Sequence, residues 1–351
     1  MFTKDDRAKW IVIAAFFRGQ ENRWLDDFIV DDQIVFEKIS PLAADRDWHK
    51  GKSKITPLLA WFGHLRHAKA ALRGQPDGII ACFPQLAICA AFWKRLGRSK
   101  PAIIAYNFNL GALRSGLRQR LARAVAGEID CFVVHSPDEV ARYATYLDVP
   151  QERVQFVPLQ RGQIKIARKE DIEAPFILSM GSAHRDYPTL IKAVNQLNYP
   201  TVIVTRASDI ATFPESANVT YRSGLTEKQC LDLMARARMC VTPIANMTTA
   251  SGQITFINAM HLGTPVIATR CPGTEGYIKD GYDGVLVAPF DVDDLTAAID
   301  QLWQDETQRE ALAKRASETA RARFSDQAAS LRLHEILKTT ISDSDRVGKR
   351  S

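Results

Sequence analysis

Ser251 and Gly252 head the stretch with the clearest potential for chemistry, ASGQITFINAMHLGTPVIA over residues 250–268. A short hydroxyl side chain beside a residue free of Cβ constraint suits a helix start. The run that follows has helical spacing: Ile254, Ile257 and His261 fall along one side, with Phe256 and Met260 beside them. Gly263 stands where a glycine ends a helix, and residues 265–268 (PVIA) read as a short buried strand. A helix whose first N–H groups are bared by a Ser-Gly loop attracts anions, because the orphan donors and the dipole both favour negative charge. The same stretch also fits an ordinary strand-to-helix turn of an α/β domain.

The whole chain agrees with an anionic ligand without choosing one. Its 351 residues suggest two domains of ordinary size, and 46% apolar content is enough to fill two cores. A net charge of +6 and a pI near 9.0 favour nucleotide phosphates, nucleic acid or an acidic membrane face. The arginines lack interleaved aromatics, which argues against nucleic acid. Cys82, Cys89, Cys131, Cys230, Cys240 and Cys271 form no CxxC pair and read as buried free thiols of a reducing compartment. No apolar run approaches the roughly 18–20 residues of a membrane span. Residues 10–17 (WIVIAAFF) are apolar enough for a signal core. Asp5 and Asp6 precede them, however, and no small-residue cleavage site follows, so a buried strand and a cytoplasmic protein are expected.

The elements that must position the 250–268 stretch fall into two strings. Strands are predicted over 10–17, within 26–40, and over 78–83, 102–106, 129–135 and 154–159. Helices are predicted over 57–72, 86–96, 113–125 and from Ser136-Pro137 onward, with a basic loop over 48–54. Residues 161–174 are polar and aperiodic and read as a linker. The alternation then restarts, with strands over 176–180, 201–205, around Val219, and over 239–243, 265–268 and 284–287. Helices are expected over 189–197, 226–237, from Ser251, and over 291–303, 306–323 and 326–341. Two such strings mean an α/β chain of two doubly wound parallel sheets. The expected boundaries are 1–165 for the first domain and 166–325 for the second. A helix over 326–341 would pack back on the first domain, ahead of a charged, disordered tail over 342–351.

Ligands of doubly wound sheets bind at the carboxyl ends of strands. That rule nominates Arg18, Gly19, Asn107 and Asn109 in the first domain and Arg206 in the second. His64 and His67 lie a turn apart with no acidic or cysteine partner nearby, so packed or surface histidines are expected rather than a metal pair. The helix over 113–125 carries Leu113, Leu117 and Leu121 on one side and Arg114, Arg118, Arg120 and Arg123 around the rest. It either presses against anionic lipid headgroups or is the solvated face of a surface helix.

Four blocks of the second half, in order, resemble the nucleotide-sugar domain of family 4 glycosyltransferases. They are GSAHRDYPTLIKAV, SGLTEKQCLDLMARARMCVTPI, ASGQITFINAMHLGTPVIATRCPG and YIKDGYDGVLVAPFDVDDLTAAIDQLWQD, spanning about 176–336. The first half is similar more loosely, through IDCFVVHSPDEVARYATYLDVPQERVQFVPLQ. The resemblance implies the GT-B fold, with two Rossmann-like domains facing across a cleft. It also implies transfer of a sugar from a nucleotide-diphosphate donor with retention at the anomeric carbon, using no cofactor and no metal. Arg185 occupies the family's diphosphate-binding position, in the loop opened by Gly181, and a guanidinium fork suits phosphate oxygens. His184 beside it is either a donor contact or a plain loop residue.

The family's paired glutamates fall here on Ala250 and Asn258, of which Asn258 would meet the ribose hydroxyls without a charge. Ser251, Gly252, Gln253, Ile254 and Thr255 supply a polar, close-approach helix start in their place. The expected partners are a nucleotide sugar and a glycan or lipid-linked acceptor of bacterial polysaccharide or glycolipid synthesis. The expected location is cytoplasmic, peripheral on the inner membrane face. The competing reading, favoured by the missing glutamates, is a non-catalytic protein of the same fold that binds a nucleotide sugar or supports a partner.

Overall fold

Strands buried on both faces need near-continuous apolar sequence, and the inner strands of this chain have it. The computed structural model describes residues 7–18, 22–41, 58–97 and 100–348. They form two units, residues 1–157 with 330–351, and residues 158–329. Gly19 and the basic loop over 48–54 lie outside the described residues.

The first unit holds β1 (Ala8–Ile13), β2 (Ile34–Ile39), β3 (Gly78–Cys82), β4 (Ala102–Tyr106), β5 (Cys131–Val134) and β6 (Val154–Phe156). They form one parallel sheet in the order β2-β1-β3-β4-β5-β6. The connecting helices are α1 (Leu58–Arg73), α2 (Pro84–Leu96), α3 (Leu117–Ala126) and α4 (Pro137–Leu147). From β3 onward each crossover steps the same way across the sheet, so right-handed connections put α2, α3 and α4 on one face. Ile11, Ile79, Ala81, Ile103, Ala105 and Phe132 pack there with Leu86, Ala90 and Tyr143 of the helices.

The second unit holds β7 (Ile177–Met180), β8 (Thr201–Val204), β9 (Val219–Arg222), β10 (Met239–Thr242), β11 (Val266–Thr269) and β12 (Val285–Val287). This parallel sheet runs β12-β11-β10-β7-β8-β9. Its helices are α5 (Tyr187–Leu197), the short α6 (Ala207–Ile210), α7 (Glu227–Arg236), α8 (Gln253–Leu262), α9 (Val292–Gln304) and α10 (Glu306–Arg323). Local chemistry sets several starts. Asp186, Asp291 and Asp305 each accept from a backbone N–H three residues on, and Thr226 and Gln229 form a capping box.

Some boundaries differ from the sequence reading, each for a local reason. β1 ends at Ile13, four residues early, where the Phe17 N–H bonds back to the Ala14 carbonyl in a turn. α3 begins at Leu117 because Gly116 sits at φ 87°, a conformation that starts a helix afresh, so Arg114 lies in the turn ahead of it. The tail expected to be disordered from 342 instead continues helix α11 (Asp326–Gly348). No glycine or proline interrupts residues 326–347, so nothing in the sequence stops that helix. From Ser330 the helix belongs to the first unit, where His334 Nε2 lies 2.6 Å from Asp31 Oδ2.

One glycine is required by packing alone. A Cβ on Gly78 would lie 2.3 Å from the ring of the fully buried Trp10 on the neighbouring strand. Gly78→Ala should therefore destabilise the first unit by about 1–3 kcal/mol through overpacking. In a thermal melt this lowers the transition that reports that unit; an unchanged melting temperature would mean the Trp10 ring relocates freely.

Candidate functional site

In an open parallel sheet the ligand crevice lies at the carboxyl ends of the two strands where the winding reverses. In the second unit the chain runs β7, β8, β9 to one side and then returns with β10 on the other side of β7. The loop after β7 carries Gly181 to Arg185, and the loop after β10 leads into α8. Both stretches singled out in the sequence therefore converge at the reversal point.

Arg185 is held by neutral groups. Its Nε lies 3.1 Å from the Met180 carbonyl oxygen, Nη1 2.7 Å from the Ala183 carbonyl, and Nη2 3.1 Å from Thr255 Oγ1 on α8. The backbone of Arg185 is bridged to Ile244 in the loop after β10. Among the described residues no carboxylate pairs with its half-buried guanidinium, and burial pulls its pKa below the usual arginine value. Gly181, at φ 113°, makes room for it: a Cβ there would fall 2.5 Å from Nη2. Tyr187, which the sequence reading missed, donates its hydroxyl to the Gly181 carbonyl at 2.5 Å and fixes that turn. Its only sequence signal is its place at the first position of α5.

The start of α8 faces this guanidinium through Thr255. Gly252 is the N-cap at φ 86°, no side chain caps the helix, and its first turn holds no acid. The backbone N–H groups of Gly252 and Ile254 donate to no protein acceptor among the described residues. Ile254 itself is 59% exposed on a helix whose other residues, His261 apart, are buried. A Cβ on Gly252 would lie 2.8 Å from Ile244 Cδ1. Gly273 lets a neighbouring turn lie against the Ser251 backbone, where a Cβ would come within 2.5 Å of its carbonyl oxygen. Ser251 Oγ and Asn258 Oδ1 are buried with no partner among the described residues, an exception that asks for a cause. Gln253 Nε2 reaches the Tyr277 hydroxyl at 3.3 Å. Gly263 ends α8 at φ 70°.

The remaining candidates are placed less pointedly. Arg206 borders the same loop, with Nη2 3.2 Å from the Ser182 carbonyl, but an ion pair with Asp209 at 3.0 Å occupies its charge. His184 is exposed at φ 53°. In the first unit Asn109 Oδ1 accepts from the Gly111 N–H and shapes the turn after β4. Arg18 Nη1 rests 3.3 Å from the Phe17 carbonyl. Asn107, at φ 53°, meets His135 across the carboxyl ends of β4 and β5.

Geometry and sequence family agree on the second unit. Residues 163–319 match the family model described as Glycosyl transferases group 1. The lipopolysaccharide core biosynthesis glycosyltransferase LpsE of Rhizobium meliloti (strain 1021) is 38% identical over 66 residues, 19% of each chain. O-antigen chain mannosyltransferase C of Escherichia coli is 25% identical over 227 residues, 60% of each chain. The chain thus spans less than two thirds of either curated relative. A crystal structure of Anabaena HepE in complex with UDP and glucose is similar at 13% identity with a TM-score of 0.66, over 95% of this chain and 100% of that one. The fold is therefore the GT-B class of two Rossmann-like units.

Two predictions follow from these contacts. Arg185→Ala should weaken pyrophosphate or nucleoside-diphosphate binding on the order of 10- to 100-fold, the loss expected for charge-assisted hydrogen bonds. Gly181→Ala should weaken it as well by displacing the guanidinium. Calorimetry on folded variants checks both, and affinity unchanged in either would remove Arg185 from an anion site.

His135 yields a further prediction. Its Nδ1 lies 2.7 Å from the Val157 carbonyl and its Nε2 2.5 Å from the Asn107 side chain. Burial pulls its pKa down to about 4, so the ring is neutral at pH 7 and donates from Nδ1. Nε2 then offers a lone pair, and Asn107 must turn its amide NH2 toward it. The unfolded chain, with an ordinary histidine pKa, binds the proton more readily. The contribution to stability is thus complete above about pH 6.5 and is lost as pH falls toward 4. Denaturation against pH should show a shallower acid slope in His135→Gln than in the native chain.

Proposed function

We propose that the protein is a glycosyltransferase that takes a sugar from a nucleoside-diphosphate donor and keeps the anomeric configuration. The observation that carries this reading is the half-buried, carboxylate-free guanidinium of Arg185 beside the uncapped start of α8. Both features favour negative charge, and a diphosphate supplies it with oxygens for each donor. The bond between the anomeric carbon and the diphosphate oxygen breaks, leaving charge on the phosphate. Arg185 and the N–H groups of Gly252 and Ile254 stabilise that charge as it develops. The acceptor hydroxyl attacks from the same face, and its proton passes to a leaving phosphate oxygen. Asn258 Oδ1, buried and unpartnered, suits a ribose hydroxyl donor, and Ser251 Oγ suits a further polar group of the donor.

The family match of residues 163–319, and relatives named for lipopolysaccharide and O-antigen synthesis, support a glycan or lipid-linked acceptor of a bacterial surface polysaccharide. We assign the protein to the cytoplasmic membrane face, with the basic helix α3 toward anionic headgroups. Ala250 and Asn258, standing where related enzymes carry glutamates, favour a second reading, a nucleotide-sugar binder without turnover.

Thermal shift with a panel of nucleoside diphosphates tests binding, and diphosphate release from the matching sugar donor, with and without membrane extract, tests transfer. The expected outcome is stabilisation by one diphosphate and membrane-stimulated release. Stabilisation without release would select the non-catalytic reading, and no stabilisation by any diphosphate would reject both.

A further inference from the structure

The first unit contains a cavity of about 640 Å³, within the roughly 300–1,000 Å³ range of small-ligand sites. It is lined chiefly by Trp61 and Leu65 of α1, Phe92 of α2, and Leu113, Leu121 and Val125 on and just ahead of α3. The donor chemistry described above does not use it. Its surroundings are unusual for a surface. Of the eleven large apolar side chains exposed among the described residues, five lie on these three helices: Phe62, Phe92, Leu96, Leu117 and Leu121. Leu121, which lines the cavity, is 61% exposed, and Leu117, one turn ahead, is 72% exposed. Singly exposed apolar residues are ordinary, but a group of them beside an apolar opening marks a contact surface.

The charge on α1, α2 and α3, which form most of this opening, has one sign. No Asp or Glu occurs in residues 78–127, and α1 has none either. Arg114 stands in the cavity wall, and its carbonyl is fixed by the Tyr146 hydroxyl at 2.7 Å. The guanidinium groups of Arg114 and Arg120 are exposed and have no partner among the described residues. Arg123 instead donates to the Thr145 and Tyr146 carbonyls at the end of α4 and braces the helix. An apolar slot rimmed by unpaired cations is complementary to one molecule type with both properties, an anionic lipid.

We propose that this cavity takes one hydrocarbon chain of an anionic phospholipid from the bilayer, with Arg114 and Arg120 on its phosphate. The inference rests on the reading of α3 as membrane-facing and adds a defined chain-binding site to it. Chain and charge act together: one acyl chain alone gives weak, reversible anchoring, on the order of 10⁴ M⁻¹, and basic residues add to it. No described helix is long and apolar enough to cross a membrane, so such a site would hold the protein at the surface.

The test uses the full chain and vesicles of phosphatidylcholine with or without phosphatidylglycerol, the latter carrying bromine mid-chain. The native protein should sediment with phosphatidylglycerol vesicles at low salt and not with phosphatidylcholine alone. Bromine should quench tryptophan fluorescence, and Trp61→Phe should remove that quenching. Ala122→Phe, which fills the cavity from α3, should abolish the Trp61 quenching and weaken vesicle binding about tenfold, with nucleoside-diphosphate binding unchanged. Leu121→Asp, on an exposed position that tolerates the change, should do the same if Ala122→Phe does not fold. Arg114→Glu with Arg120→Glu should also cost about tenfold or more. Vesicle binding lost with the charge reversals but with no Trp61 quenching would overturn the chain site and leave the membrane-facing reading intact. Absence of any vesicle binding would overturn both. A concentration-dependent dimer abolished by Leu121→Asp would give the apolar face to a second copy of the chain and overturn the proposal as well.

Discussion

A positive charge placed at the positive end of a helix is an arrangement proteins avoid, and the second unit contains one. Arg309 and Arg168 in the same unit follow the ordinary rule. Arg309 donates to the Leu302 and Trp303 carbonyls at the carboxyl end of α9. Arg168 donates to the Ala235 and Ala237 carbonyls at the end of α7 and pairs with Glu170 at 3.1 Å. There the helix dipole and the guanidinium attract each other. Arg185 sits instead beside the start of α8, bonded to Thr255 in its first turn and, among the described residues, to no carboxylate. Both groups are only partly solvated, so their repulsion is poorly screened. An anion between them turns the repulsion into two attractions. The glycines at 181 and 252 and the reversal of strand order at β7 and β10 make sense as the means of bringing these groups together.

The same reasoning separates what was legible in the sequence from what was not. The start and stop of α8 could be read because they are local: Gly252 and Gly263 both take positive φ, which few other residues accept. The strand string could be read because strands of a parallel sheet are continuously apolar. Arg185 was found through a family pattern, but its lack of a carboxylate was not visible. That depends on a contact with Thr255 seventy positions away, and so on β10 lying beside β7. Arg206 looked equivalent from its place after β8, yet Asp209, one helical turn on, absorbs its charge. The arginines of α3 were visible as a row. The cavity beneath them needed α1, α2 and α3 together, and no single periodicity contains it.

The two units also record different constraints. The candidate site of the second unit is built from backbone conformations and close approaches: positive φ at 181 and 252, and a Cβ-free contact at 273. Such geometry permits few residue types, so sequence similarity persists there, and the family match covers 163–319. The apolar helix faces of the first unit are specified only by size and polarity, which many residues satisfy. The family match accordingly stops short of those faces, and over nearly the whole chain the likeness to HepE is one of fold, at 13% identity.

This difference bears on where specificity resides. A diphosphate looks alike in every nucleotide sugar, so a site made of N–H groups and one guanidinium would hold such a ligand without choosing it. Choice must come from groups that the donor's variable parts touch. In the proposed site those are side chains such as Asn258, whose buried amide oxygen has no partner among the described residues. A neutral acceptor discriminates less strongly than a charged one between a diol and a single hydroxyl, because leaving it half-used costs less when it carries no charge. In the proposed donor site a neutral group at 258 therefore relaxes the demand on the ribose and leaves a larger share of the binding to the Arg185 and α8 pair.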